Sequence, residues 1–131
     1  RTRMTFRQTI QRILKSNNVD MTFEMLQVMH CLWKEQGVSQ QSLAEKTAKD
    51  KACLTNLINN LEKKGWVIRQ EDCNDRRNKL IYLPPEGEKV AAKIKSLLKD
   101  MYTQVGQQMN TKHMEACMKH LSKLNEIFDQ I

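Results

Sequence analysis

DKACLTNLINNLEKKGWVIRQEDCNDRRNK, residues 50–79, is the stretch on which the rest of the chain turns. Asp50 has the side chain of a helix N-cap, suited to accept the first free backbone N–H groups. Leu54, Leu57, Ile58 and Leu61 then recur at i, i+3, i+4 and i+7, the spacing of one helical face. The opposite face carries Lys51, Ala52, Thr55, Asn56, Asn59 and Lys63, all small, polar or cationic. Gly65 stands where a left-handed C-terminal cap is expected, and Trp66-Val67-Ile68 opens a β run. Asn74 and Asp75 are the expected turn residues of a hairpin that carries Arg76, Arg77 and Lys79 around its tip.

Working outward, Ser39 predicts the cap of a short helix, SQQSLAEKT, with Leu43 and Ala44 inward and capping-box spacing from Ser42 to Glu45. Ala48-Lys49-Asp50 is the turn into the next helix, so residues 39–64 read as helix, tight turn, helix. The β runs Trp66 to Gln70 and Leu80 to Leu83 flank the basic tip, and Pro84-Pro85 stops the second. Upstream, Phe6, Ile10, Ile13 and Leu14 stripe a first helix over residues 3–16 that ends at Asn17-Asn18. Thr22 is the expected cap of a second, with Met25, Leu26, Met29, Leu32 and Trp33 on its apolar face, ended by Gly37; Val38 is placed at a strand edge. Glu86 opens a long helix striped by Val90, Ile94, Leu97, Leu98, Met101, Val105 and Met109. Thr111 is read as the cap of the last, striped by Met114, Cys117, Met118, Leu121, Leu124, Phe128 and Ile131.

The fold class is therefore mainly α: a winged helix-turn-helix over residues 22–83 with a two-stranded β wing, within a single domain. The helices at residues 1–17 and 86–131 have stripes too long for that lobe to cover, and a second copy of the chain is their expected partner. Two copies would also present two reading helices, which suits a two-fold site with half-sites one helical turn apart.

With 131 residues, 40% of them apolar, the chain is long enough for one core without staples. Aromatics make up 5%, and Gly and Pro are few at 4 and 2, a helix-rich composition. A net charge of +7 favours an anionic partner, and charge alone fits DNA, RNA, an anionic membrane surface or an acidic protein. No apolar run approaches the roughly 20 residues of a membrane span, and no signal peptide is visible. A soluble cytoplasmic protein with reduced thiols is expected; since the chain opens at Arg1, a few native residues are expected before it. The glycines are isolated and no nucleophile–base–orienter set stands out, so neither catalysis nor a cofactor is expected.

The ordered set "LA" at Leu43-Ala44, LTNLINNLEKKGWVIR, the DRR of Asp75-Arg76-Arg77 and the LPPEG entry to the long helix resembles the multiple antibiotic resistance regulator (MarR) family of bacterial transcription factors. The resemblance covers essentially the whole chain and is densest over residues 42–90. It implies a homodimeric, DNA-binding regulator, a repressor more often than an activator, acting on a palindromic operator and responsive to a ligand or to oxidation. It also implies that Asp75 orients Arg77 for entry into the minor groove. LPPEG departs from the family, where a threonine is usual at the helix cap.

Each candidate site has a plainer alternative. Thr55, Asn56 and Asn59 face away from the leucines; short polar side chains there suit base edges, with Asn bidentate to adenine, and the alternative is a solvated face. Arg77 is assigned to the minor groove and Arg76 to phosphate, against simple hairpin solubility. Ser39, Gln40, Lys49 and Lys51 are candidates for backbone positioning. Cys53 near a helix start and Cys73 at the wing are candidate redox switches, against a filler and an incidental thiol. His113, Cys117 and His120 have metal-ligand spacing without an evident fourth ligand, so no metal is assigned. Met25, Met29, His30, Trp33, Met101 and Tyr102 are candidates to line a crevice for a small effector, against ordinary core packing. The rival functions are a dimeric winged-helix protein-interaction module and a dedicated thiol sensor.

Overall fold

The structure, a computed structural model, describes residues 2–109 and 111–131; the side chains at 2, 3, 75–78, 111 and 114 lie outside the described residues. In chain order the elements are α1 (Thr2–Ser16), α2 (Phe23–Lys34), β1 (Val38–Ser39), α3 (Gln40–Thr47), α4 (Lys51–Lys63), β2 (Ile68–Asp72), β3 (Asp75–Tyr82), α5 (Pro85–Gln108) and α6 (Thr111–Gln130).

Side-chain oxygens start the three central helices. Thr22 Oγ1 accepts from Met25 N at 3.2 Å, Ser39 Oγ from Ser42 N at 3.0 Å, and Asp50 Oδ1 from Cys53 N at 2.6 Å. Each satisfies one N–H that the helix cannot, an effect of about 1 kcal/mol per cap. Ser42 lies inside α3, so the capping box expected from Ser42 to Glu45 does not form. The cap expected from Thr111 falls on a side chain outside the described residues.

Left-handed residues close α3 and α4. Gly65, at φ 77°, closes α4 as its N–H meets Glu62 O at 2.9 Å and that of Trp66 meets Leu61 O at 3.0 Å. The same paired closure ends α3 at Ala48, where no glycine helps: φ is 53°, with Lys49 N donating to Ala44 O at 3.0 Å. α5 begins one residue before the expected Glu86, at Pro85, and Glu88 N donates to Pro84 O at 2.9 Å. Proline at the first helical position has no N–H to leave unpaired, which answers the missing threonine of LPPEG.

The sheet departs from expectation in the bounds of its hairpin. Its three strands run in the order β1-β3-β2, with Val38 at the strand edge expected of it: Val38 and Ser39 pair with Ile81 and Leu80 beside the two-stranded hairpin. β2 starts at Ile68 rather than Trp66, whose N–H is held by the α4 closure, and β3 runs back to Asp75 rather than starting at Leu80. The turn is therefore Cys73-Asn74, stabilised as Asn74 N donates to Asp72 Oδ1 at 3.0 Å, and Asp75 already belongs to β3.

Backbone proximity divides the chain into two compact units, Arg1–Lys95 and Ser96–Ile131. The core of the first collects Ile10 and Leu14 of α1, Leu26, Val28, Met29 and Leu32 of α2, Leu43 of α3, Leu54, Ile58 and Leu61 of α4, Ile81 of β3, and Ala91 and Ile94 of α5. At roughly 1.5–3 kcal/mol per fully buried aliphatic side chain, Leu54, Ile58 and Leu61 are enough to hold α4 down by one face. Phe6 departs from its stripe: it is exposed and meets Phe23 edge-on, the centroids 6.4 Å apart. The second unit shows the opposite pattern, with Tyr102, Val105, Met118, Leu121, Leu124, Ile127 and Phe128 all exposed.

Candidate nucleic-acid interface

Burying Leu54, Ile58 and Leu61 leaves the other face of α4 in solvent, with Lys51, Asn56 and Asn59 exposed and Thr55 half-buried beside α3. Among the described residues Lys51 and Lys63 form no ion pair, so both ammonium groups remain available to an anion. The β2–β3 hairpin follows the α4 closure directly and brings Arg76 and Arg77 onto β3. The side chains of Asp75, Arg76 and Arg77 lie outside the described residues.

The remaining sequence candidates divide into those already engaged and those open. Gln40 Nε2 donates to Thr55 Oγ1 at 2.7 Å, and that hydroxyl donates to Lys51 O at 2.8 Å, tying the start of α3 to α4. Ser39 spends its hydroxyl on the α3 cap. Lys49 Nζ donates to Gln27 Oε1 at 2.8 Å, which fixes the turn between the two helices against α2. The Asn56 side chain makes no hydrogen bond among the described residues. Asn59 is held by a residue that sequence reasoning missed: Arg69 Nη2 donates to its Oδ1 at 2.6 Å, while Arg69 Nη1 pairs with Glu62 at 3.0 Å. The signal was present, since a strand alternates faces and Arg69 shares that of buried Val67.

Cys53 is exposed at the third position of α4, and Cys73 is exposed in the hairpin turn. His113, Cys117 and His120 are exposed on α6, and no metal-holding group of three His, Cys, Asp or Glu exists among the described residues. Of the effector-pocket candidates, Met25 and Met29 are fully packed into the core. His30 meets Trp33 edge-on at 5.1 Å, and Lys95 Nζ lies 5.5 Å over the Trp33 ring. Partial burial, then the nearby Lys34 charge, lowers the His30 pKa from its usual value. A cavity of about 190 Å³ opens beside Trp33, lined also by Gln36, Leu83, Glu88, Ala91 and Lys95. Met101 and Tyr102 belong to the second unit.

This geometry has counterparts. Residues 22–79, which span α2 to the hairpin, match the family model described as MarR family. Residues 22–79 are of the MarR-family type. The transcriptional regulator HosA of Escherichia coli O127:H6 is 34% identical over 73 residues, covering 56% of this chain and 54% of that protein. The regulator FarR of Neisseria gonorrhoeae is 25% identical over 115 residues, covering 88% of this chain and 79% of FarR. The chain spans about half the length of the first curated relatives it matches. Among solved structures, the S. aureus MepR–DNA complex superposes with a TM-score of 0.84 at 26% identity, covering 95% of this chain and 93% of MepR. CouR, described as a transcriptional repressor bound to a 23-mer DNA duplex, gives 0.86 at 17% identity over 95% of this chain and 87% of its own, a likeness of fold. The expected winged helix-turn-helix is thus the fold of this chain, and no helix among its described residues is long and apolar enough to cross a membrane.

Proposed function

We propose that this chain, with its MarR-type segment, is a sequence-specific DNA-binding transcriptional regulator, acting as a homodimeric repressor on a palindromic operator. The observation that carries it is the α4 face: a helix pinned by three buried aliphatic residues, with amides and unpaired lysines outward and a basic hairpin alongside. A major groove admits such a helix, and amides and hydroxyls there match the donors and acceptors of base edges. The net charge of +7 supplies attraction to phosphate without sequence preference. Names and titles of the similar proteins, regulators and DNA complexes, support the same reading.

Dimerisation rests on the uncovered stripes. Met118, Leu121, Leu124, Ile127 and Phe128 on α6, and separately Met4 and Phe6 on α1, are apolar side chains that a monomer leaves wet. A second copy removes them from water and places a second α4 for the other half-site. A signal then acts by changing the spacing of the two reading helices. The signal is a small ligand, with the Trp33–Lys95 cavity as its entry point, or oxidation at exposed Cys53 or Cys73.

Selection of duplexes from a random pool tests the proposal. A two-fold consensus is expected, with affinity that falls steeply with salt and a slope that decreases by about one in Arg77→Ala. Binding that is insensitive to sequence, or a bound acidic protein in place of DNA, would replace this reading with the protein-interaction one.

A further inference from the structure

We infer that Arg69 is a specificity-positioning residue: by holding the carbonyl end of Asn59, it biases that residue toward guanine over adenine. This rests on the DNA-reading role proposed for α4. An asparagine amide has one accepting and one donating end, and reading adenine uses both, donating to N7 and accepting from the N6 amino group. Arginine has donors only, so the end of Asn59 that meets the guanidinium must be the carbonyl oxygen. The contact is short, 2.6 Å from Nη2 to Oδ1, and it is charge-assisted. Glu62 fixes the guanidinium from its other nitrogen at 3.0 Å, and the Arg69 side chain is only 19% exposed, so the amide is held from behind by an anchored partner.

What remains outward on Asn59 is the NH2 group with its two donors. Two donors match guanine, which offers O6 and N7 as acceptors in the major groove; they oppose the N6 amino group of adenine and the N4 amino group of cytosine. Asn56, three residues earlier on the same exposed face, has no side-chain hydrogen bond among the described residues and keeps both ends of its amide. Adenine therefore remains open to Asn56. Thr55 is constrained differently: its hydroxyl accepts from Gln40 and donates its one proton to Lys51 O, so it has no donor left for a base edge.

The test uses the full chain, a consensus selected from random duplexes, and titrations against duplexes varied at one base pair per half-site. Asn59→Ala locates the base pair concerned, the one position at which preference flattens. There the wild-type protein is expected to favour guanine over adenine by roughly ten-fold. Arg69→Met frees the amide to rotate, so the preference at that pair alone should shrink to about two-fold or reverse, while other positions keep theirs. Arg69→Lys offers one ammonium in place of the two arms of the fork, so its preference should fall between those of the wild type and Arg69→Met. Uniform weakening in Arg69→Met with base preferences intact would show a merely structural arginine and overturn the inference. So would an adenine preference in the wild-type protein at the pair Asn59 reads. If Arg69→Met does not fold, Asn59→Ala, which keeps the Arg69–Glu62 pair, decides between guanine and adenine by itself. A wild-type protein that selects no consensus would instead remove the DNA-reading proposal, and this inference with it.

Discussion

Gly87 gives the sharpest test of how α5 is seated. A methyl carbon at that position would stand 2.0 Å from the Trp66 carbonyl oxygen, 2.9 Å from its carbon and 3.2 Å from Pro84 Cδ. Carbon and oxygen settle no closer than about 3.3 Å, so the helix start must retreat by about 1 Å. The Trp66 side cannot give way cheaply, because its N–H closes α4 against Leu61 O at 3.0 Å. Retreat of the helix instead loosens Leu83, Ala91 and Ile94, all buried. Overpacking of this kind costs about 1–3 kcal/mol, more against backbone, while alanine regains about 0.5–1 kcal/mol of helix preference. Gly87→Ala should therefore lose about 2 kcal/mol, and the thermal midpoint should fall by roughly 8 °C. Gly106, in the same helix, has nothing within 4 Å of that position, and Gly106→Ala should be neutral or stabilising by about 0.5 kcal/mol. Urea titration and thermal melting by circular dichroism read both variants. A Gly87→Ala protein that unfolds at or above the wild-type midpoint, with the same urea slope, would refute the reasoning.

Ala48 occupies a left-handed conformation at φ 53°, so Ala48→Gly should gain about 1 kcal/mol in urea unfolding; a loss would mean that the alanine methyl matters more than its strain. On the proposed dimer, Leu121→Asp with Phe128→Asp puts charge on the exposed α6 stripe, so the unaltered chain should sediment as a dimer and the variant as a monomer. For His30 the folded pKa lies below its unfolded value of about 6.5, so the unfolded chain binds the extra proton first. Stability should be complete above that unfolded value and decline as pH falls through it toward the folded one; His30→Gln should flatten the decline in unfolding measured between about pH 7 and pH 5.

Local chemistry determined much of this protein from sequence alone. Asp50, Thr22 and Ser39 act as caps because a cap needs only a short side-chain oxygen and the N–H groups two or three residues on. The face of α4 was legible because a 3.6-residue period sorts Leu54, Ile58 and Leu61 from Asn56 and Asn59 without reference to any other element. Boundaries of the hairpin were less legible: Trp66 looks like strand until the α4 closure takes its N–H, and Val38-Ser39 becomes a strand only when β3 lies beside it. Tertiary structure alone decided which side chains on that legible face are free. Arg69 claims one end of Asn59, Gln40 claims the Thr55 hydroxyl and Gln27 claims Lys49. Hydrogen bonds between residues 10, 15 and 22 positions apart leave no periodic trace, because they depend on where separate elements come to rest. The sequence thus determined which polar surface stands outward, and the packing of β2 and α3 against α4 decided which atoms of that surface remain free for the proposed reading of DNA.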